Sequence, residues 1–142
     1  GLAILEAGKA LEHDDVPVGA LVVLDGKILS ARHNERELLD DPTAHAEVLA
    51  LRDAAAAVGS SRLDGAILVS TLEPCPMCAG AALSARVGQV IFGAEDLKSG
   101  ALGSLYQLGN DPRLNHEFSV TGRILQEECG NMVADFFDSK RI

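Results

Sequence analysis

"AILVSTLEPCPMCAGAALSARVGQVIFGAED", residues 66–96, contains two continuous apolar runs with a segment of small residues between them. Such runs, here "AILVSTL" and "QVIF", are typical of strands that are buried on both faces. The intervening "CPMCAGAALSARV" predicts a helix that packs closely against a neighbour. A strand, a helix and a second strand in succession imply two parallel strands joined by a right-handed crossover. The binding crevice of such a sheet lies beyond the carboxyl ends of its parallel strands, which are residues 71–75 and 93–96 here.

The sequence before this stretch predicts two helices and a hairpin. "LAILEAGKALEHDD" (2–15) reads as a short amphipathic helix, and "PVGALVVLDGKILSARHN" (17–34) as a β-hairpin that turns at Asp25-Gly26. "TAHAEVLAL" (43–51) begins a helix that Thr43 or Asp41 could cap. The predicted core stripe of this helix consists of apolar residues at helical spacing: Ala44, Val48, Leu51, Ala55 and Val58.

The sequence after the stretch predicts a helix over Ala101–Leu108, a short strand over Phe118–Thr121 and a final helix over Ile124–Phe137. Roughly 20 residues separate "QVIFG" from "FSVT", enough for a crossover, so the last strand is expected to run parallel to its neighbour. The predicted fold class is therefore α/β. We expect a three-layer α/β/α sandwich with a central mixed five-stranded sheet and helices on both faces, formed by a single domain over residues 1–142.

Composition and charge narrow the classes of function. Four Phe, one Tyr and no Trp leave few aromatic side chains on which bases could stack. The net charge of −9 argues against a non-specific nucleic-acid binder. Three cysteines, two of them close together, suit a metal or redox site in a reducing compartment. No apolar run is long enough to span a membrane, and no signal peptide is visible, although the chain opens at Gly1 within helix-like sequence.

Four residues form a chemical constellation at the predicted sheet edge. Cys75 and Cys78 lie at the strand-to-helix junction, where backbone N–H groups and the helix dipole stabilise thiolates. His45, at the start of another helix, would complete three protein ligands and leave a fourth position open for water, the pattern of a catalytic zinc. Zinc lowers the pKa of a bound water from about 15.7 to about 7. Glu47 is then the candidate group for moving protons.

"HAE" at 45–47 and "PCPMC" at 74–78 resemble the signature of the zinc-dependent nucleobase deaminases, and this pair of motifs identifies the superfamily. Other segments resemble the bacterial tRNA-specific adenosine deaminases across nearly the whole chain. They are "VPVGALVV", "HNERE", "DPTAHAE", "TLEPCPMCAGA", "FGAEDLKSGALGSLYQL", "PRLNHEFSVTG" and "EEC…DFF".

This resemblance implies a cytoplasmic homodimer that converts the wobble adenosine of a tRNA anticodon loop, in arginine tRNA, to inosine. It places one Zn²⁺ per chain on His45, Cys75 and Cys78, and proton transfer on Glu47. The helix of small residues after Cys78 could supply the interface between subunits. The implied substrate-binding residues are Asn34, Ala46, Asp96, Lys98, Ser99 and Asn115.

Structural interpretations stand beside several of these assignments. Asp96 could simply cap a helix, Lys98 could be a solvated lysine, and Asn34 could end a strand. Other residues read as structural from the start: His13, His33, His116 and Cys129.

Other functions remain open at this point. The chain could deaminate a free base or nucleoside, with guanine the nearest alternative. "CPMC" also resembles a thiol-disulfide redox motif, but no Trp accompanies it and Glu47 would then have no role. A structural zinc domain that recognises a partner protein is the third alternative.

Charge bears on the choice between RNA and a free base. The final helix, "QEECGNMVADFFDSKRI", is acidic. RNA binding therefore requires either a basic extension outside this sequence or a local basic patch, because net charge reports on long-range steering only. The candidates for that patch are Arg86, Lys98, Arg113, Lys140 and Arg141.

Overall fold

The computed structural model describes residues 1–141 and contains a mixed sheet of five strands. These are β1 (Gly19–Leu24), β2 (Lys27–His33), β3 (Ile67–Leu72), β4 (Gln89–Ala94) and β5 (Ser119–Thr121). The strand order is β2-β1-β3-β4-β5. Strand β1 is antiparallel to β2 and β3, whereas β3, β4 and β5 are parallel. The predicted mixed sheet and the predicted direction of β5 are confirmed.

Helices cover both faces of this sheet. They are α1 (Leu2–Gly8), α2 (Ala46–Val58), α3 (Pro76–Ala85) and α4 (Gln126–Ser139). Two glycines in the strands show which helices lie on the first face. A Cβ on Gly19 would lie 2.1 Å from the Ala3 oxygen in α1, and one on Gly93 would lie 2.4 Å from Cys129 Sγ in α4. Ala20 and Phe92, which follow and precede those glycines in their strands, belong to the core shared with α2 and α3. Helices α1 and α4 therefore lie on one face and α2 and α3 on the other, as the predicted three-layer arrangement requires.

The face of α2 that packs on the sheet differs in part from the predicted stripe. Ala44 and Leu51 are buried as predicted, but Val58 is 40% exposed. Ala46, Ala50 and Ala54 are instead completely buried. These alanines let the helix lie close to β1 and β2, and their small side chains give a weak hydrophobic signal in the sequence.

The predicted helix over Ala101–Leu108 is wrong. The segment consists of turns with one isolated bridge between Leu102 and Gln107. Two of its backbone N–H groups, those of Leu102 and Ser104, donate to the carboxylate of Glu73 rather than to helical carbonyls. A side chain 29 residues earlier in the chain thus decides the conformation of this loop.

Element ends account for the remaining differences. The first helix is shorter than predicted, since α1 is followed by a 3-10 turn over Lys9–His13 that ends at Asp14 with φ +64°. Helix α4 begins at Gln126 because Leu125 is left-handed, with φ +52°. The hairpin turn is confirmed, with φ +50° at Asp25 and +76° at Gly26. Among the described residues, no helix has the length and apolarity needed to cross a membrane.

Candidate metal centre and substrate cleft

Two helices begin at the same point of the molecule. His45 is the residue immediately before α2, and Cys75 is the residue immediately before α3. Both have extended backbone conformations, and Pro76 occupies the first position of α3, where its missing N–H costs nothing. The positive ends of both helix dipoles therefore face the space between these two side chains, which favours negative charge there.

Three ligand atoms converge at this point. His45 Nδ1 lies 3.6 Å from Cys75 Sγ and 3.4 Å from Cys78 Sγ. One nitrogen and two sulfur atoms, all within 4.8 Å of one another, form a group that could hold a metal ion. Cys78 is completely buried, whereas His45 and Cys75 are partly exposed and line a cleft. The three ligand atoms therefore lie beside the cleft, within reach of a molecule that enters it.

The two thiols have opposite protonation tendencies. A hydrogen bond from Cys78, which outweighs the cost of burial, and a further one from His45 lower the pKa of Cys75 to about 4. The pKa of Cys78 is raised, because it donates that hydrogen bond to Cys75 and is buried. The Cys75 hydrogen bond also raises the pKa of His45. A metal ion that binds here would displace the shared protons, since thiolates and neutral imidazole are the ligating forms.

Glu47 lies in the first turn of α2 with only 4% of its surface exposed. Burial raises the pKa of its carboxyl group to about 7, despite the opposing effects of its own backbone N–H and of His45. A carboxyl group with such a pKa can both accept and release a proton at neutral pH. It lines the same cleft as His45 and Cys75.

Asn34 fixes the start of α2. Its Oδ1 accepts the backbone N–H of Ala46 at 2.8 Å, and its Nδ2 donates to the Val16 carbonyl at 3.1 Å. The predicted capping by Thr43 or Asp41 is wrong, because Asp41 Oδ1 accepts from Thr43 itself and closes the turn before the helix. Asn34 also lines the cleft. The same side chain therefore fixes the backbone next to the candidate ligand His45 and faces the space that a substrate would enter.

The cleft has a volume of about 1280 Å³ and lies at the carboxyl ends of β3 and β4. Of the predicted substrate-binding residues, Asn34, Asp96, Lys98 and Ser99 line it. Asp96 Oδ1 accepts the backbone N–H groups of Lys98 and Ser99, each at 3.1 Å, and so closes a turn at the rim.

Two predicted substrate-binding residues do not line the cleft. Ala46 is completely buried behind Asn34. Asn115 is exposed, and its carbonyl accepts from Arg86 near the amino end of β4, the opposite end of that strand from the cleft. Among the predicted basic patch, Lys98, Lys140 and Arg141 line the cleft. Arg113 instead pairs with Asp111.

Helix α4 and the residues directly after it form one wall of the cleft. Phe136 and Phe137 of α4 line the space there, and so does Arg141, which follows the helix. Lys140 reaches across to Asp14 in the turn after Lys9–His13 and lies 5.3 Å from the centre of the Phe136 ring. Cys129, predicted to be a buried apolar residue, is 4% exposed beneath β4 and is not part of the metal group.

Histidines outside the metal group have structural partners. His13 Nδ1 lies 2.6 Å from Asp15, His33 Nδ1 lies 2.6 Å from Glu6, and His116 Nε2 lies 2.8 Å from the Val87 carbonyl. Asp15 in addition accepts the backbone N–H groups of Glu37 and Leu38. The loop between β2 and α2 is therefore held by a buried carboxylate.

Glu73 is the site residue that the sequence analysis missed. It is 2% exposed and lies between β3 and Cys75, facing the loop that follows β4. The available signal was a single acid at the end of a buried strand, directly before "PCPMC". Such a charge must be satisfied by neighbouring groups.

Comparisons with known proteins agree with this geometry. The MafB19-like deaminase family matches residues 2–141. A tRNA-specific adenosine deaminase from Bacillus subtilis (strain 168) is 48% identical over 139 residues, which cover 98% of this chain and 86% of that protein.

Two solved structures extend the comparison. One, from a study of A-to-I editing by tRNA:A34 deaminases at the wobble position of transfer RNA, is 41% identical with a TM-score of 0.89, and the match covers 92% of this chain and 95% of that one. A guanine deaminase from Bacillus subtilis is also 41% identical, but its TM-score is 0.64, with 66% and 60% of the two chains covered.

Proposed function

This chain belongs to the family of the tRNA-specific adenosine deaminases, and we propose that it converts adenosine to inosine at the wobble position of a tRNA anticodon loop. The observation that carries the proposal is the position of a buried carboxyl group, that of Glu47, beside a His-Cys-Cys group in one cleft. The reaction consumes one water and releases one ammonia, so it needs an activated water and a group that moves protons.

The His-Cys-Cys group fits Zn²⁺. One imidazole nitrogen and two thiolate sulfurs are a ligand set that zinc uses in catalytic sites, where the fourth position stays open. His45 Nδ1, Cys75 Sγ and Cys78 Sγ would hold the ion. Zinc bound there would act as a Lewis acid that activates water at neutral pH.

Glu47 is the proposed catalytic residue. Its carboxylate takes one proton of the water as the water oxygen bonds to C6 of adenine, and gives that proton to N1. It then takes the second proton from the oxygen on C6 and gives it to the departing amino group, which leaves as ammonia while the C6 carbonyl of inosine forms. A carboxyl group held beside the metal ligands suits both halves of this exchange, because it accepts a proton as the carboxylate and releases it as the carboxylic acid. Its burial also keeps bulk water from competing for the proton.

The proposed substrate contacts fall into two groups. Asn34 would contact the nucleoside from the side of α2, while Asp96, Lys98 and Ser99 would meet the RNA at the rim. Ala46 and Asn115 stay predictions from the family resemblance: the first supports Asn34 from behind, and the second lies away from the cleft.

We further infer that the chain is a single zinc-dependent deaminase domain over 1–142, of which Ile142 lies outside the described residues. Two such chains form a cytoplasmic homodimer in this proposal, and arginine tRNA is the substrate. The support for a dimer is the outer side of α3, where Gly80 and Ala81 are only partly buried, together with large exposed side chains in the loop after β4. Those side chains are Leu97, Leu105 and Tyr106.

A deamination assay tests the proposed function. The zinc-loaded chain is incubated with the adenosine-containing anticodon stem-loop of arginine tRNA, with a hairpin of unrelated sequence, and with free adenosine, cytidine and guanine. Inosine is expected in the anticodon stem-loop alone. Turnover of guanine with the stem-loop untouched would retain the chemistry and overturn the substrate, and light scattering of the same sample tests the dimer.

A further inference from the structure

The carboxylate of Glu73 is surrounded by hydrogen-bond donors from one loop. Oε1 accepts the Asp96 backbone N–H at 3.0 Å and the Ser104 hydroxyl at 2.5 Å. Oε2 accepts the backbone N–H groups of Leu102 at 2.9 Å and Ser104 at 3.1 Å. These four hydrogen bonds hold the pKa of Glu73 below its ordinary value, although burial alone would raise it.

The loop is built to fit this carboxylate. A Cβ on Gly100 would lie 2.3 Å from Glu73 Cδ and 2.4 Å from Oε2, so only glycine leaves room for the side chain. The backbone N–H of Glu73 itself donates to the Ala94 carbonyl at 2.8 Å, and that of Ala101 donates to the Pro74 carbonyl at 2.9 Å. Segment 73–74 and the loop 94–104 are thus joined on both sides of the carboxylate.

Glu73 stands between two functional groups of the molecule. It is two residues before the candidate ligand Cys75, and it binds the N–H of Asp96, whose own side chain closes the turn over Lys98 and Ser99. One buried side chain, that of Glu73, therefore holds the rim residues in place relative to the metal centre.

We propose that Glu73 is a positioning residue that sets RNA affinity by holding Asp96 at the cleft rim, an inference that rests on the proposed function. It makes no contact with substrate in this scheme. It acts because its Oε1 is the acceptor that fixes the Asp96 backbone at the point where the rim turn begins.

The substitution Glu73→Gln disturbs this contact selectively. The Gln amide group has one oxygen and one NH₂. If the NH₂ replaced Oε2 it would face two backbone N–H groups, which cannot turn away. If it replaces Oε1 it faces the Ser104 hydroxyl, which can rotate to accept, and the Asp96 N–H, which cannot. The second orientation is favoured, so the variant leaves the Asp96 N–H without an acceptor and preserves the rest.

The first experiment is a double-mutant cycle on the zinc-loaded chain with the anticodon stem-loop. Glu73→Gln and Asp96→Ala are each expected to raise KM for the stem-loop at least about tenfold, the scale of one lost hydrogen bond to a charged group. Added to Asp96→Ala, Glu73→Gln should change KM by less than about twofold, because sites that act through one contact are not additive. Equal effects in both backgrounds would show a general structural role and overturn the proposal.

Two variants serve as controls in this cycle. Ser104→Ala removes the hydroxyl but leaves the Asp96 N–H its acceptor, so the rise in KM should be markedly smaller than that of Glu73→Gln. Glu117→Gln changes an exposed acid far from the cleft and should match the unsubstituted chain.

A second measurement does not depend on turnover. Hydrogen exchange should show that the Asp96 amide of the unsubstituted chain is protected. Glu73→Gln should accelerate the exchange of the Asp96 amide while the amides of Leu102 and Ser104 stay protected. An unprotected Asp96 amide in the unsubstituted chain, or acceleration of all three amides together, overturns the proposal. If instead the exchange pattern holds and no stem-loop is deaminated, the proposed function fails and the positioning of Asp96 by Glu73 stands.

Discussion

Glu47 is a buried acid that the folding of its helix does not require. Glu47 is buried in the first turn of α2 among alanines, where an ionised carboxylate is costly. The helix dipole favours an acid in this first turn, but an exposed position would meet that preference without the cost of burial. The neighbours of Glu47 are the three side chains of the candidate metal centre.

Glu47→Gln should therefore abolish turnover and keep the metal. The amide has the shape of the carboxylate but cannot carry the proton, so we expect kcat on the stem-loop to fall at least about 100-fold, the lower range for general acid–base catalysis. Zinc content, measured by atomic emission, should stay at that of the unsubstituted chain. Residual activity within tenfold would remove Glu47 from the proton-transfer step.

The same residue predicts a pH dependence of stability. After zinc is removed by a chelator, the folded carboxyl group has a pKa of about 7 against 4.5 for an ordinary Glu. A raised pKa means that the folded state holds its proton longer, so the contribution of Glu47 to stability is complete below pH 4.5 and is lost as pH rises through 7. At about 1.36 kcal/mol per pKa unit, the loss is about 3 kcal/mol.

Urea unfolding of the zinc-free chain at pH 4.5 and at pH 8 measures this loss. Glu47→Gln has no titrating group at this position. Between pH 4.5 and pH 8, the free energy of unfolding of the unsubstituted chain should therefore fall by about 3 kcal/mol more than that of Glu47→Gln. Identical pH profiles for the two chains would contradict the burial argument.

At the scale of elements, the approach of α4 to the sheet depends on a missing side chain. A Cβ on Gly93 would lie 2.4 Å from Cys129 Sγ and 2.7 Å from the Thr71 carbonyl. Gly93→Ala should push α4 outward and lower the free energy of unfolding by about 1–3 kcal/mol. Because Phe136 and Phe137 of α4 line the cleft, KM for the stem-loop should rise as well.

Gly8→Ala is the matched control, since a Cβ there meets nothing within 4 Å and the backbone is helical. Its free energy of unfolding should stay within about 1 kcal/mol of the unsubstituted chain. Cys129→Ala combined with Gly93→Ala should recover part of the loss by removing the sulfur. Equal stability of the two single variants would show that α4 tolerates the extra carbon.

Elements whose signals are local were predictable from the sequence. Continuous apolar runs predicted β3 and β4, and Asp25-Gly26 predicted the hairpin turn. The loop at 101–108 was not predictable, because helical spacing cannot reveal that Glu73 competes for its N–H groups. The buried face of α2 was misplaced because alanine carries little hydrophobic signal.

The residues of the candidate site also fall into two groups, those that local motifs predicted and those whose contacts only the folded chain shows. His45, Glu47, Cys75 and Cys78 stand in two short motifs whose residue types have few other uses, and the structure brings them together. Asn34 was found through the family resemblance, yet its hydrogen bond to the Ala46 N–H joins the end of one strand to the start of a helix twelve residues on. Only the folded chain reveals a contact of that kind.

For the whole molecule, charge and RNA binding must be reconciled. The net charge is −9, and the cleft lining is itself acidic, because eight carboxylate residues line it beside four cations, Arg36, Lys98, Lys140 and Arg141. Among the described residues, three of these cations are ion-paired with acids of the same lining, and Lys98 is the exception. Each phosphate neutralised in a single-stranded loop contributes about −0.7 to the slope of log K against log salt concentration. We therefore expect a slope no steeper than about −3 for stem-loop binding.

Fluorescence anisotropy across a salt series measures this slope. Lys98→Ala should make it shallower by about 0.7, whereas Lys27→Ala, at the hairpin end of the sheet, should leave it unchanged. A slope of −6 or steeper for the unsubstituted chain would reveal a basic surface outside the cleft.

The separation of the metal-binding residues in the chain has a consequence for biosynthesis. His45 and Cys78 are 33 residues apart, so the ribosome adds Cys78 well after His45 has been made. At about 5–20 residues per second, this interval lasts roughly 2–7 s. For the first 30 of these residues, until Cys75 is added, the nascent chain has the imidazole but neither thiol ligand. A nascent chain arrested before Cys75 should therefore carry no zinc at this site, and metal loading should begin only after Cys78 has been added.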